Sequence, residues 1–194
     1  MRIFVLTVIA ALLWTGCRES NPVIEVTKTR RLTYHDKDPA GNILDKPPLG
    51  WRTIPPTDFR DKNFLAGPNE KVEIYVSNVN GDLLENANRW LVQFGQQEVA
   101  NLAGFETIKI LERTSILVEA QGTYAAAMGG GETEDRENYA LVGALRPTNS
   151  SLLSFKMVGP AEAVAGLRDE FIEYCQSMVI LDVTSIESDE EDSE

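Results

Sequence analysis

Apolar positions along this chain recur with two periods. Leu83, Leu84, Ala87, Trp90, Leu91 and Phe94 follow the i, i+3, i+4, i+7 spacing that lays one stripe along a helix. Asp82 stands where an N-cap carboxylate accepts the first free amide protons, and Gly95 where a left-handed residue ends the helix. Glu85, Asn86, Asn88, Arg89 and Gln93 fall off the stripe and are expected to meet water. A second helix is predicted after Gly159-Pro160, since proline suits the first turn. Its stripe is Val164, Leu167, Phe171, Tyr174, Cys175 and Met178.

Elsewhere the period is two. Val72, Ile74 and Val76 alternate with Lys71, Glu73 and Tyr75, and Leu153, Phe155 and Met157 alternate with Ser154 and Lys156. Residues 105–111 and 115–124 read as further strands, and 51–54 as a short one stopped by Pro55-Pro56. Phe59 and Phe64 have opposite parity, so the stretch between them needs a bulge or break. Residues 96–103 are predicted to carry a short helical piece, and 125–137, with three consecutive glycines, to form a loop with a hairpin tip. The stretch 139–145 (YALVGAL) is apolar at every position, which requires cover on both faces of its sheet.

Two one-sided helices and hairpin-length connections fit that requirement economically. The expected fold is α+β, a mainly antiparallel sheet between helices in an α-β-α sandwich. The alternative, both helices on one side, leaves part of 139–145 wet.

The first residues change the picture of where this body sits. Met1-Arg2 is a short positive segment, followed by an apolar run over 3–14 that is too short to span a bilayer as a helix. The run ends in Thr15-Gly16-Cys17, which resembles the lipobox of bacterial lipoproteins, with Trp14 standing where that box usually has leucine. The resemblance implies cleavage before Cys17, diacylglycerol and often a further acyl chain such as palmitate on the new N-terminus, and a membrane partner reached through lipid. An ordinary cleaved signal peptide and an uncleaved anchor are the competing readings. The expected organisation is a leader over 1–16, a tether with a possible edge strand over 17–49, one globular domain over 50–184 and an acidic tail over 185–194.

Charge and chemistry narrow the function by exclusion. The net charge is −12, and six acids crowd residues 187–194, leaving about half that charge on the rest. A negative surface is unsuited to phosphate backbones, so nucleic acid is not an expected partner. The single histidine, His35, lies in the tether with too few metal-type neighbours, and of the two cysteines one is assigned to lipid and Cys175 to a helix stripe. No nucleophile, base and orienting acid can be assembled, so no catalytic residue, metal or cofactor is expected. Glu106 and Glu119 are the remaining pair for carboxylate chemistry of the glycosidase type, a minor alternative.

Gly50-Trp51, Pro55-Pro56, Phe59-Arg60 and Phe64, followed by Asn86-Ala87-Asn88-Arg89-Trp90-Leu91-Val92-Gln93-Phe94-Gly95, carry a family likeness. They resemble a group of envelope lipoproteins of planctomycete- and verrucomicrobia-type bacteria with an N-x-N-R-W-x-x-Q-x-G helix. That resemblance implies a Mog1/PsbP-like sandwich and an accessory or binding role outside the cytoplasm, and it lends no activity. The expected function is a lipid-anchored, non-catalytic accessory or binding protein of the envelope; a small-ligand-binding lipoprotein is the alternative. The expected interaction surface is Asn86, Asn88, Arg89 and Gln93, with Arg60 as an outlying member, and the partner is an envelope protein or a small ligand. The oligomeric state is left open.

Overall fold

A computed structural model describes residues 43–126 and 134–180. The leader, Cys17, His35 and the acidic tail lie outside the described residues, as does most of the tether in which an edge strand is expected. In chain order the elements are β1 (Ile43–Leu44), β2 (Arg52–Thr53), β3 (Lys62–Ala66), β4 (Val72–Val79), α1 (Leu83–Val92), β5 (Glu106–Ile110), β6 (Arg113–Ala126), β7 (Glu134–Pro147), β8 (Leu152–Pro160), α2 (Ala161–Gln176) and β9 (Val179–Ile180). Among the described residues, seven strands form one antiparallel sheet in the order β2-β3-β4-β8-β7-β6-β5, and β1 pairs with β9 in a small ribbon.

The sheet buries both faces. On one, α2 lays Val164, Phe171, Tyr174 and Cys175 against Val72, Ile74, Val142, Ala144, Phe155 and Met157. On the other, α1 lays Ala87, Trp90, Leu91 and Phe94 against Ile116, Val118, Leu141 and Leu145. Every residue from Ala140 to Leu145 is buried, which is the α-β-α sandwich its unbroken apolar run demands. Asp82 Oδ1 accepts the Glu85 amide at 2.8 Å, and Gly95 takes φ 69° as the chain leaves α1, with Gln96 N donating to Leu91 O at 3.1 Å.

Several expectations are corrected. Residues 96–103 form turns rather than a helical piece, because Asn88 holds Val99 through both its side-chain groups and Asn101 Oδ1 accepts the Ala103 amide. The hairpin expected to open at 125 instead keeps its ladder through Tyr124↔Arg136 and Ala125↔Asp135, and 127–133 lie outside the described residues. Asn86 does not meet water: it is 1% exposed, and its Nδ2 donates to Asn80 O and Asp82 O, closing the turn into α1. The break between Phe59 and Phe64 is present, with Thr57 and Arg60 bridged in a tight turn that leaves Phe59 on the surface. The packed body also takes in Ile43, which is buried beside Trp51 and Tyr174 in the core under α2.

Candidate functional site: a cationic and aromatic face beside α1

The site begins with a missing side chain. A Cβ on Gly143 would lie 2.4 Å from Cζ3 of Trp90, so only glycine lets the indole rest on the sheet there. Gly143 pairs with Lys156 on β8, and Lys156 pairs with Tyr75 on β4. The lysine stem therefore rises from the sheet just beyond the indole. Its Nζ lies 5.5 Å from the ring centroids of both Trp90 and Tyr124 and donates to Gln93 Oε1 at 2.7 Å. Lys156 is 4% exposed.

The end of α1 is fastened around this point. Ala125 N donates to Gln93 O at 2.9 Å, and Phe94 stacks on Tyr124, which in turn stacks on Tyr139. Because α1 packs against β6 and β7, the β3–β4 side of the same face is left to a polar cover. There the turn ending at Arg60 is held by Ser77 Oγ donating to Phe59 O at 2.7 Å. The Arg60 guanidinium lies 4.0 Å from the Tyr75 centroid and donates to Glu73 Oε2 at 3.1 Å. Arg136 Nη1 approaches the other Glu73 oxygen at 3.8 Å.

Lys156 and Arg89 differ from these paired cations. Lys156 is bonded to the neutral Gln93 amide, and Arg89 Nη2 donates to Asn86 Oδ1, likewise neutral. Neither has a carboxylate partner among the described residues. Burial lowers the Lys156 ammonium to about 7, the charges of Arg60 and Arg89 push in the same direction, and Glu73 opposes them. Burial also pushes the Tyr75 and Tyr124 phenols up.

Of the residues expected at an interaction surface, Gln93 accepts from Lys156, Arg60 lies over Tyr75, and the charges of Arg60 and Arg89 act on the Lys156 ammonium. Asn86 accepts from Arg89. Asn88 points elsewhere, its side chain bonded to the Val99 backbone at 2.8 and 3.0 Å. Glu106 and Glu119 do come together, at 2.9 and 2.7 Å from Arg168 Nη2, on a different surface beside α2. They form an exposed ion-pair network there, without the apolar enclosure that separates an acid from a base. Cys175 is fully buried and burial raises its thiol, the environment of a packing residue. Among the described residues there is no group of three or more His, Cys, Asp or Glu able to hold a metal ion, and no helix long and apolar enough to cross a membrane.

Lys156, Tyr75, Glu73 and Tyr124 are functional candidates that sequence periodicity misses. The alternation in β8 puts Ser154 and Lys156 on the polar parity and gives no signal that they are buried. A separate open cleft of about 540 Å³ lies between Leu91, Gln96, Val99 and Phe105, without charged lining residues.

No family model matches the chain, and no curated protein sequence matches it. Among solved structures it is similar to a Bacteroides thetaiotaomicron protein at 12% identity and TM-score 0.45, over 76% of this chain and 48% of that one, so this chain spans about half of that protein. It is similar to the cyanobacterial PsbP protein (CyanoP) of Synechocystis at 14% identity and TM-score 0.47, over 76% of this chain and 91% of that one. It is also similar to LpqN, involved in cell envelope biogenesis of Mycobacterium tuberculosis, at 15% identity and TM-score 0.38, over 71% of this chain and 82% of that one. These likenesses are distant, and the fold assignment rests on the two helix-covered faces themselves.

Proposed function

We propose that this chain is a lipid-anchored, non-catalytic binding protein of the bacterial cell envelope, held at the membrane through Cys17, and that it engages its partner with the face beside α1. The observation that carries the binding role is Lys156, a nearly buried cation without a carboxylate partner among the described residues, set among aromatic rings. Arg89 on α1 and Phe59 in the turn before Arg60 are exposed, Phe59 to 85%. Aromatic side chains and arginines anchored in a supporting shell are what interfaces use for most of their binding energy. The resemblance of Thr15-Gly16-Cys17 to a lipobox supports the anchoring.

The test is affinity purification from detergent-solubilised envelope, comparing the wild type with an Arg89→Ala/Phe59→Ala double variant. Both side chains are exposed, so the fold should survive their removal. Selective loss of a co-purifying component is expected. Identical recovery of every component by both proteins would contradict the assignment of this face.

A further inference from the structure

The long strand β6 has an open edge beyond Leu117. It runs for 14 residues, but β5 begins at Glu106 and pairs only with residues 113–117 of it. Further along, the turn over 93–96 returns to that edge. Gln93 O accepts the Ala125 amide at 2.9 Å, and Gln96 Nε2 donates to Gln121 O at 3.2 Å. In an antiparallel strand a residue's N–H and C=O point to the same side, and residues two apart agree. Gln121 O points outward, so the Gln121 amide and both backbone groups of Glu119 point outward with it. Among the described residues no backbone group pairs with them on that side. An unpaired stretch of edge is a template for a further strand.

Two cavities flank this stretch, one on each face of the sheet, and Gln96 lines both. On the α1 face is the cleft of about 540 Å³, with Leu91, Val99 and Phe105 in its wall. On the α2 face a second, of about 320 Å³, lies between Glu119 and Gln121 on β6 and Val164 and Arg168 on α2. At its rim Arg168 meets three carboxylates, Glu106, Glu119 and Asp169, at 2.9, 2.7 and 3.3 Å, which leaves the rim net negative. We propose that the edge at Glu119 and Gln121 takes up a short extended peptide of another protein as an added antiparallel strand, with a basic residue on each side of an apolar one. The alternation follows from the sheet. Glu119 pairs with Val142, which packs under α2, and Ala120 with Leu141, which packs under α1. Partner residues opposite Glu119 and Gln121 therefore turn their side chains to the carboxylates, and the one opposite Ala120 turns its own to the apolar cleft.

The Gln96 side-chain amide stands where a backbone amide of the incoming strand donates to Gln121 O, and it rotates aside about its own side-chain bonds to admit it. The open stretch is bounded by Glu106 at one end and by the 93–96 turn at the other, so it accepts a few residues and no more. A second copy of this chain does not fit, because its own 14-residue β6 would run into β5 or into that turn. This site goes beyond the binding role proposed above: it shares no residue with the Lys156 face and stands or falls separately.

The experiment is fluorescence anisotropy of a labelled peptide, lysine-valine-lysine-valine-lysine between serines, titrated with the full chain in non-ionic detergent and corrected for binding to micelles alone. Saturable binding is expected. N-methylation of the lysine amides, which face the β6 edge, should weaken it about tenfold or more, whereas N-methylation of the valine amides, which face away, should leave it unchanged. Glutamate in place of lysine should weaken it to a similar extent. Glu119→Gln, at an exposed side chain, should weaken it several-fold, and Gln96→Ala, which clears Gln121 O, should strengthen it. In the nitrogen-15-labelled chain, amide hydrogen exchange at Glu119 and Gln121 should slow when the peptide is added. The Arg89→Ala/Phe59→Ala variant should bind the peptide as the wild type does, so the purification above and this titration fail independently. The proposal is overturned if neither the wild type nor Gln96→Ala binds saturably, if the two methylated peptides bind alike, or if exchange at Glu119 and Gln121 is unchanged at saturation. Loss of binding in Arg89→Ala/Phe59→Ala with full binding in Glu119→Gln would place the peptide on the other face and overturn it equally.

Discussion

Lys156 ties the stability of this protein to pH in a definite direction. Its folded ammonium sits at about 7, while an unfolded lysine titrates near 10, so between those values the unfolded chain holds a proton that the folded chain has released. Raising pH through that window therefore favours the folded form, at up to about 1.4 kcal/mol per unit. Above it the trend reverses, because burial raises the phenols of Tyr75, Tyr124 and Tyr174 and their unfolded counterparts ionise first. Urea unfolding midpoints should rise from pH 6.5 to about 9.5 in the wild type and stay flat in Lys156→Met, which should also be no less stable than the wild type at pH 7. A midpoint falling across that range in the wild type would show that Lys156 keeps its proton in the folded state. At this scale the sequence is legible only in part. Arg89 and Gln93 stand out because they fall off a clear stripe, and Cys175 because it falls on one. Asn86 does not, since its position off the stripe says nothing about the loop carbonyls of Asn80 and Asp82 that fold back onto it.

At the scale of elements, the helices and central strands follow from period alone, and the departures have local causes. The contact of α1 with the sheet depends on Gly143, whose Cα surface receives the indole of Trp90. Gly143→Ala should destabilise the fold by about 1–3 kcal/mol through overpacking, and should shift Trp90 emission as the ring is lifted. Wild-type stability and an unchanged spectrum would refute that packing. The β5–β6 hairpin is a second case. Its two-residue loop is Leu111-Glu112, with φ of 48° and 63°, values that asparagine and glycine adopt far more readily. Leu111 is kept there by packing against the core under α2, a tertiary reason invisible in the local sequence. Leu111→Asn/Glu112→Gly should release the backbone strain at the expense of that packing. Glu112→Gly alone, at an exposed site, should raise stability by about 0.5–1 kcal/mol in urea unfolding. A loss of stability in the single variant would mean that the left-handed conformation is not strained.

At the largest scale, the described residues form a sheet with two unlike sides. The side under α2 is continuous core, closed at one end by Trp51, Phe64 and Tyr174 packed ring against ring and by Asp45, which accepts from both Lys62 and Tyr174. The side under α1 is core only where the helix reaches, and beyond it carries the cations and rings described above. This asymmetry is not legible from pattern, since the alternation in β8 gives polar residues the same spacing whether water, a neighbouring ring or a ligand covers them. An overall charge of −12 sets these cations apart from the balance of the chain. The proposed role sets this face close to a membrane, and that placement depends on Cys17. Intact mass spectrometry of the protein isolated from the membrane fraction tests it most directly. A chain beginning at Cys17 with the mass of a diacylglycerol on its sulfur is the expected result. A membrane-bound chain that retains residues 1–16, or one with a free thiol at Cys17, would contradict it.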